Sequence, residues 1–247
     1  MTAETASKPH RLAFAASGLF ITGTDTDVGK TVLSASLIAA IIASGGRVRA
    51  HKPVVTGLDH PHPRGWPADH QLLGQLSGVS AEQVSPLRFG PAASPHLAAQ
   101  LAGVEIDRDR IVDAAAAAAA AAGADEASLI VEGVGGLLVP LAENLTVRDL
   151  AAALALPLLI AARPGLGTIN HTLLTLQSAR AAGLTVRAVV LTPWPQQPGQ
   201  IMRSNLQTIA AIGEVEVLTL PHVAAPHPDL LAQAGETLPW RRLLSRE

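Results

Sequence analysis

Gly29-Lys30-Thr31 is the chemical core of a phosphate-binding loop. In such a loop, backbone N–H groups and a helix N-terminus face phosphate oxygens. The lysine adds a point charge near the transferring phosphoryl group, and the hydroxyl after it ligates a divalent cation. The surrounding stretch Phe20–Thr31, FITGTDTDVGKT, departs from the usual G-x-x-x-x-G-K-[ST] spacing. Five residues separate Gly23 from Gly29, and Thr24 stands where the pattern expects glycine. Its context is nonetheless that of a working loop, with an apolar strand before it and an amphipathic helix after it.

Phosphoryl transfer also needs oxygen ligands for a cation, and two stretches offer them. Val131–Gly136, VEGVGG, places Glu132 at the carboxyl end of an apolar strand, followed by glycines that permit close approach to a ligand. Asp69 opens the helical stretch ADHQLLGQL, where it serves either as a ligand or as an N-cap. A third stretch, His51–Gly57 (HKPVVTG), carries Lys52 just beyond a second strand, facing the same edge as the loop.

The elements that must hold these groups follow a regular alternation. Leu19–Thr22 is a short buried strand, Lys30–Ser44 is a helix stopped by Gly45-Gly46, and Arg47–His51 is a second strand. This is a βαβ unit. Further strands are expected at Ser128–Glu132, Pro157–Ala161, Val186–Thr192 and Val215–Leu220, with helices near 146–155, 168–182 and 200–211 between them. The fold class is therefore α/β: one doubly wound, mostly parallel sheet with helices on both faces. Residues 1–18 read as a flexible tail and 19–247 as one domain, with a Pro/His/Gly-rich loop after Thr56. The alanine run after Asp113 reads as a surface helix ended by Gly123.

Composition narrows the function classes. The 247 residues are 48% hydrophobic and 15% charged, enough for a large core and too apolar for global disorder. A net charge of −2 and the lack of basic runs argue against nucleic-acid and membrane partners. With no cysteine, thiolate metal sites, disulfides and cysteine nucleophiles are excluded. The longest apolar run, Leu150–Arg163, is too short to span a bilayer and contains Pro157, so a cytoplasmic protein is expected.

Four segments, TGTDTDVGKT, HKPVVTG, VEGVGGLLVPL and GLGTINHTLLTL (Gly165–Leu176), together resemble the dethiobiotin synthetase family in order and approximate spacing. The resemblance runs from about Leu19 to Leu220. It implies a P-loop fold and an ATP- and magnesium-dependent enzyme of biotin biosynthesis. That enzyme closes a cyclic urea on 7,8-diaminopelargonic acid with carbon dioxide. It further implies a homodimer.

Carried over by position, the resemblance assigns nucleotide contacts to Asp27, Val28, Gly29, Lys30, Thr31 and Val32, with Thr31, Asp69 and Glu132 on magnesium. Gly133, Val134 and Gly135 would follow Glu132 along the nucleotide. Lys52, with Lys30, would stabilise the carbamate and the transferring phosphate. Thr26 and Thr56 would touch substrate, and the helix start Gly167-Thr168-Ile169-Asn170 would reach the substrate carboxylate across a dimer. Thr192-Pro193 and Pro221-His222 would line the base pocket. Many family members carry Asn-Asp where this chain has Thr192-Pro193, so the resemblance does not extend to the adenine contact or to a strict preference for ATP. Two rival P-loop classes are disfavoured. Partition-type ATPases carry a signature lysine where this chain has Asp25, and amidating synthetases append a domain with a nucleophilic cysteine.

Overall fold

The computed structural model describes residues 17–60 and 65–245. Of the expected tail, residues 1–16 lie outside the described residues, and Gly18 already belongs to the first strand. The chain begins with β1 (Gly18–Gly23), α1 (Lys30–Ala43), β2 (Val48–His51) and β3 (Val54–Val55). It continues through α2 (Asp69–Ser77), α3 (Ala81–Val84), β4 (Leu87–Arg88), α4 (Pro95–Leu101) and α5 (Arg108–Ala124). Next come β5 (Ser128–Gly136), β6 (Pro140–Ala142), β7 (Leu145–Thr146), α6 (Val147–Leu154) and β8 (Leu158–Ala162). The last elements are α7 (Thr168–Ala181), β9 (Val186–Trp194), α8 (Gln200–Gly213), β10 (Val217–Pro221), α9 (Pro228–Glu236) and α10 (Trp240–Leu244).

Six strands form one sheet in the order β10-β9-β8-β1-β5-β2, and every pairing in it is parallel. Parallel strands put all their carboxyl ends at one edge, which is where an open α/β sheet binds ligands. Both faces are covered. Leu19 and Ile21 of β1 join a core with α1, α2 and α9, while Phe20 between them joins the opposite core with α5 and α6. A third cluster, with Leu176 of α7 and Ile209 of α8, packs under β8 and β9. This alternation within a strand is what a two-faced parallel sheet requires.

Three local expectations are corrected. The alanine helix spans Arg108–Ala124 and passes through Gly123 instead of ending there. It is also not purely a surface element, because Ile111, Ala115, Ala119 and Ala122 are buried against the sheet. In a nearly uniform alanine run, composition alone cannot show which face is inward. Strand β5 does not end at Glu132 but continues to Gly136. Its pairing with β1 is interrupted after Ile21↔Glu132 and resumes at Gly23↔Gly136, so Gly133–Gly135 bow away from the ladder.

Helix α9 lies so close to α1 that a Cβ on Gly235 would stand 2.1 Å from the carbonyl oxygen of Ser36. Among the described residues, no helix is long and apolar enough to cross a membrane.

Candidate functional site

The loop between β1 and α1 is shaped by backbone conformations that few residues adopt. Gly29, at the N-cap of α1, has φ 92°, and Asp27 is left-handed at φ 55°. A side chain at Gly29 would also collide with Thr192 of β9, whose Cγ2 lies 2.7 Å from the position of such a Cβ. Thr192 is therefore a wall of the phosphate loop. Val28 is buried in the core beneath it, and Val32 packs at its margin.

Lys30 is buried, and its Nζ donates to the carbonyl of Asp25 at 2.8 Å. Burial, reinforced by the nearby charge of Lys52, lowers its pKa to about 8, against opposing pulls from Glu132, Asp69 and Asp27.

Lys52 leaves β2 at the same sheet edge and meets both predicted acidic residues. Its Nζ lies 2.5 Å from Glu132 Oε1 and 2.7 Å from Asp69 Oδ2. Burial alone would depress this lysine, but the two carboxylates outweigh burial and hold it above its ordinary value. Desolvation pushes the Asp69 carboxyl up, and Lys52 outweighs that to keep it below the usual carboxylate range. Asp69 is the first residue of α2, and Ala68 holds the N-cap position, so the alternative reading of Asp69 as the cap does not apply.

Glu132 is fully buried. Its Oε1 accepts from both Lys52 and Thr31 Oγ1, the latter at 2.8 Å, while Oε2 is buried without a partner. An orphaned carboxylate oxygen beside a hydroxyl and a half-exposed second carboxylate is an all-oxygen donor set. Such a set suits a hard cation that keeps waters and phosphate oxygens as its other ligands. No cluster of three or more His, Cys, Asp or Glu side chains is found among the described residues, so any cation here would depend on those external ligands.

The remaining predicted positions are distributed along the same edge. Gly135 is left-handed at φ 59°, and a Cβ there would stand 3.5 Å from Thr26 Oγ1, so the turn after Glu132 lies against the loop. Pro221 ends β10 in register with Trp194, and the His222 N–H donates to the Trp194 carbonyl. Gly167 caps α7 at φ 91° with no side-chain cap; Thr168 is buried and Asn170 exposed. Thr56 follows β3 and is half-buried. His51, which the sequence reading passed over, is buried beside Lys52 with both ring nitrogens unpartnered, and burial lowers its pKa to about 4.

Comparison with known proteins agrees with this arrangement. Residues 17–225 match the AAA domain family. The chain is 42% identical over 205 residues to the ATP-dependent dethiobiotin synthetase BioD of Anaeromyxobacter dehalogenans, covering 82% of this chain and 88% of that protein. It is 34% identical over 203 residues to the BioD of Bacillus subtilis, covering 81% and 85%. Among solved structures, a DUF1611 family protein from Anabaena variabilis superposes with a TM-score of 0.51 at 15% identity. That match covers 95% of this chain and 63% of the other, a likeness of fold only. A P-loop on a six-stranded parallel sheet, a lysine held between two carboxylates at its edge and this degree of identity place the chain in the ATP-dependent dethiobiotin synthetase family.

Proposed function

We propose that this protein converts 7,8-diaminopelargonic acid, carbon dioxide and ATP into dethiobiotin, ADP and phosphate. The observation that carries the reading is the buried Lys52 ammonium, set between Asp69 and Glu132 within reach of the phosphate loop. A P-loop hydrolase draws its second cation from a loop lysine or an arginine finger. Here the cation comes from the end of β2, where this reaction needs one, because it brings an anionic carbamate onto an anionic phosphate.

In the first step a substrate amine adds to carbon dioxide and loses a proton, giving a carbamate. A carbamate oxygen then attacks the γ-phosphorus, the bond to the β-bridging oxygen breaks, and ADP leaves. The second amine attacks the carbonyl carbon of the mixed anhydride, loses a proton and expels phosphate, closing the ring. Lys30 offsets charge on the β- and γ-phosphates, and Lys52 offsets it on the carbamate oxygen and the transferring phosphoryl group. Thr31, Asp69 and Glu132 would hold a magnesium ion, which when bound neutralises phosphate charge. Thr26 and Thr56 would line the diamino acid. Thr192, Pro193, Pro221 and His222 would border the base.

The reading extends to a cytoplasmic homodimer. Its support is the uncapped start of α7 beside Leu166, which is 98% exposed; a neighbouring subunit would cover both. A partition-type ATPase switch is the weaker alternative, since residue 25 is an exposed aspartate where that class carries lysine.

The test is phosphate release from purified protein given 7,8-diaminopelargonic acid, bicarbonate, magnesium and each nucleoside triphosphate in turn. Release that depends on the diamino acid is expected. Its absence with every nucleotide would sink the assignment.

A further inference from the structure

Three successive carbonyls of the long half of the phosphate loop are held by cations. Lys30 Nζ takes the Asp25 oxygen at 2.8 Å. The Arg163 guanidinium, from the residue after β8, takes the next two, with Nη2 to Thr26 O at 3.1 Å and Nε to Asp27 O at 3.3 Å. Arg163 is itself set by a fixed turn, because the buried Asn205 amide on α8 donates to the carbonyls of both Pro164 and Gly165 at 3.0 Å. A chain of hydrogen bonds therefore runs from α8 through the turn after β8 to the loop after β1.

A trans peptide is planar, so its N–H points away from its C=O. Drawing the Thr26 and Asp27 oxygens toward Arg163 turns the N–H groups of Asp27 and Val28 to the opposite side. These are the amides of the loop segment where the spacing exceeds the usual pattern, and where Asp27 holds a left-handed backbone that aspartate seldom adopts. A planar guanidinium fork can serve two neighbouring carbonyls at once; a lysine ammonium is a point charge without that geometry.

We propose that Arg163 is a positioning residue for the triphosphate: by fixing two loop carbonyls, it aims the following two amides at the phosphates. The inference rests on the reading that the loop holds a nucleoside triphosphate. No substrate contact is assigned to Arg163 itself.

The experiment compares wild type, Arg163→Ala and Arg163→Lys, measuring magnesium-ATP binding by calorimetry and steady-state kinetics with the diamino acid. Arg163→Ala is expected to raise the nucleotide dissociation constant about tenfold, the scale of lost charge-assisted hydrogen bonds at an exposed site. The KM for the diamino acid should rise less than the nucleotide dissociation constant, since of the two residues whose carbonyls Arg163 holds only Thr26 is assigned to that substrate. Arg163→Lys should stay close to the alanine variant, and added methylguanidinium should recover binding in Arg163→Ala. Amide exchange at Asp27 and Val28 should quicken while α1 is unchanged.

Unchanged ATP binding in Arg163→Ala would overturn the inference. So would full recovery by lysine, which would mean that charge and not the fork matters. Wild type that binds no nucleoside triphosphate would instead overturn the functional reading on which the inference stands.

Discussion

The loop after β1 and the pocket after β2 each bury one lysine, and the fold treats the two in opposite ways. Lys30 has a backbone carbonyl as its hydrogen-bond partner, and burial lowers its pKa to about 8. Lys52 has two carboxylates, and they raise it in spite of deeper burial. A cation poised near neutrality awaits an anion that completes its environment, and an arriving triphosphate would do so. A cation already neutralised by two carboxylates is held in place before any ligand arrives, and releases charge toward substrate only as those carboxylates find other partners. Burial is common to both sites, so partners decide the outcome.

The contrast is broken most forcefully at Lys52. Lys52→Gln is expected to lower turnover by about a thousandfold or more while nucleotide binding stays largely intact, because this charge is used on the reacting groups. Loss of nucleotide affinity in that variant would move Lys52 into the phosphate site and erase the distinction.

His51 supplies a third case, burial with no partner at all. Its folded pKa of about 4 lies below the ordinary value, so the unfolded chain binds more protons between those limits. Stability is therefore full above about pH 6.5 and falls as pH drops toward 4, by about 3 kcal/mol from this group. Denaturant melts of wild type and His51→Gln across that range check this, and the variant should show the shallower decline. Equal slopes would mean that His51 does not titrate as a buried neutral group.

Lys30→Met is expected to weaken triphosphate binding by about a hundredfold, with a much smaller effect on nucleoside monophosphate binding. Equal losses for both ligands would mean that Lys30 shapes the loop and does not serve the distal phosphates. The smallest effect concerns the base. At the edge formed by Thr192, Pro193, Pro221 and His222 the prolines have no N–H to offer, the Thr192 methyl stands over Gly29, and the His222 N–H is taken by the Trp194 carbonyl. Exchanging ATP for other nucleoside triphosphates should therefore change kcat/KM by no more than about tenfold. A larger preference would show that the base is read by groups outside this set.

The order of these effects reflects how much of the site was legible in the sequence. Lys52 and Glu132 follow apolar runs that read as strands, and Lys30 opens the helix after the phosphate loop, so a parallel sheet brings these three to one edge. Asp69 opens a helix after a Pro/His/Gly-rich loop, and only the family resemblance set it with them. Arg163 and Asn205 were not legible. Each acts on backbone carbonyls of another segment, and which carbonyls come within reach depends on strand register and turn shape. The same holds for the place of the Thr192 side chain over Gly29, which depends on the register of β9. The inward face of α5 escaped for a different reason, since a run of identical alanines has no polar side to mark which way is out.

Gly235 extends the account to a part of the chain distant in sequence from the site. Its bare Cα lets α9 seat directly on α1, the helix whose first turn carries Lys30 and Thr31. The match to the AAA domain stops at residue 225, before α9 begins at Pro228. A fragment trimmed to that boundary would keep every residue of the proposed site and still lose the surface against which the loop's own helix is braced.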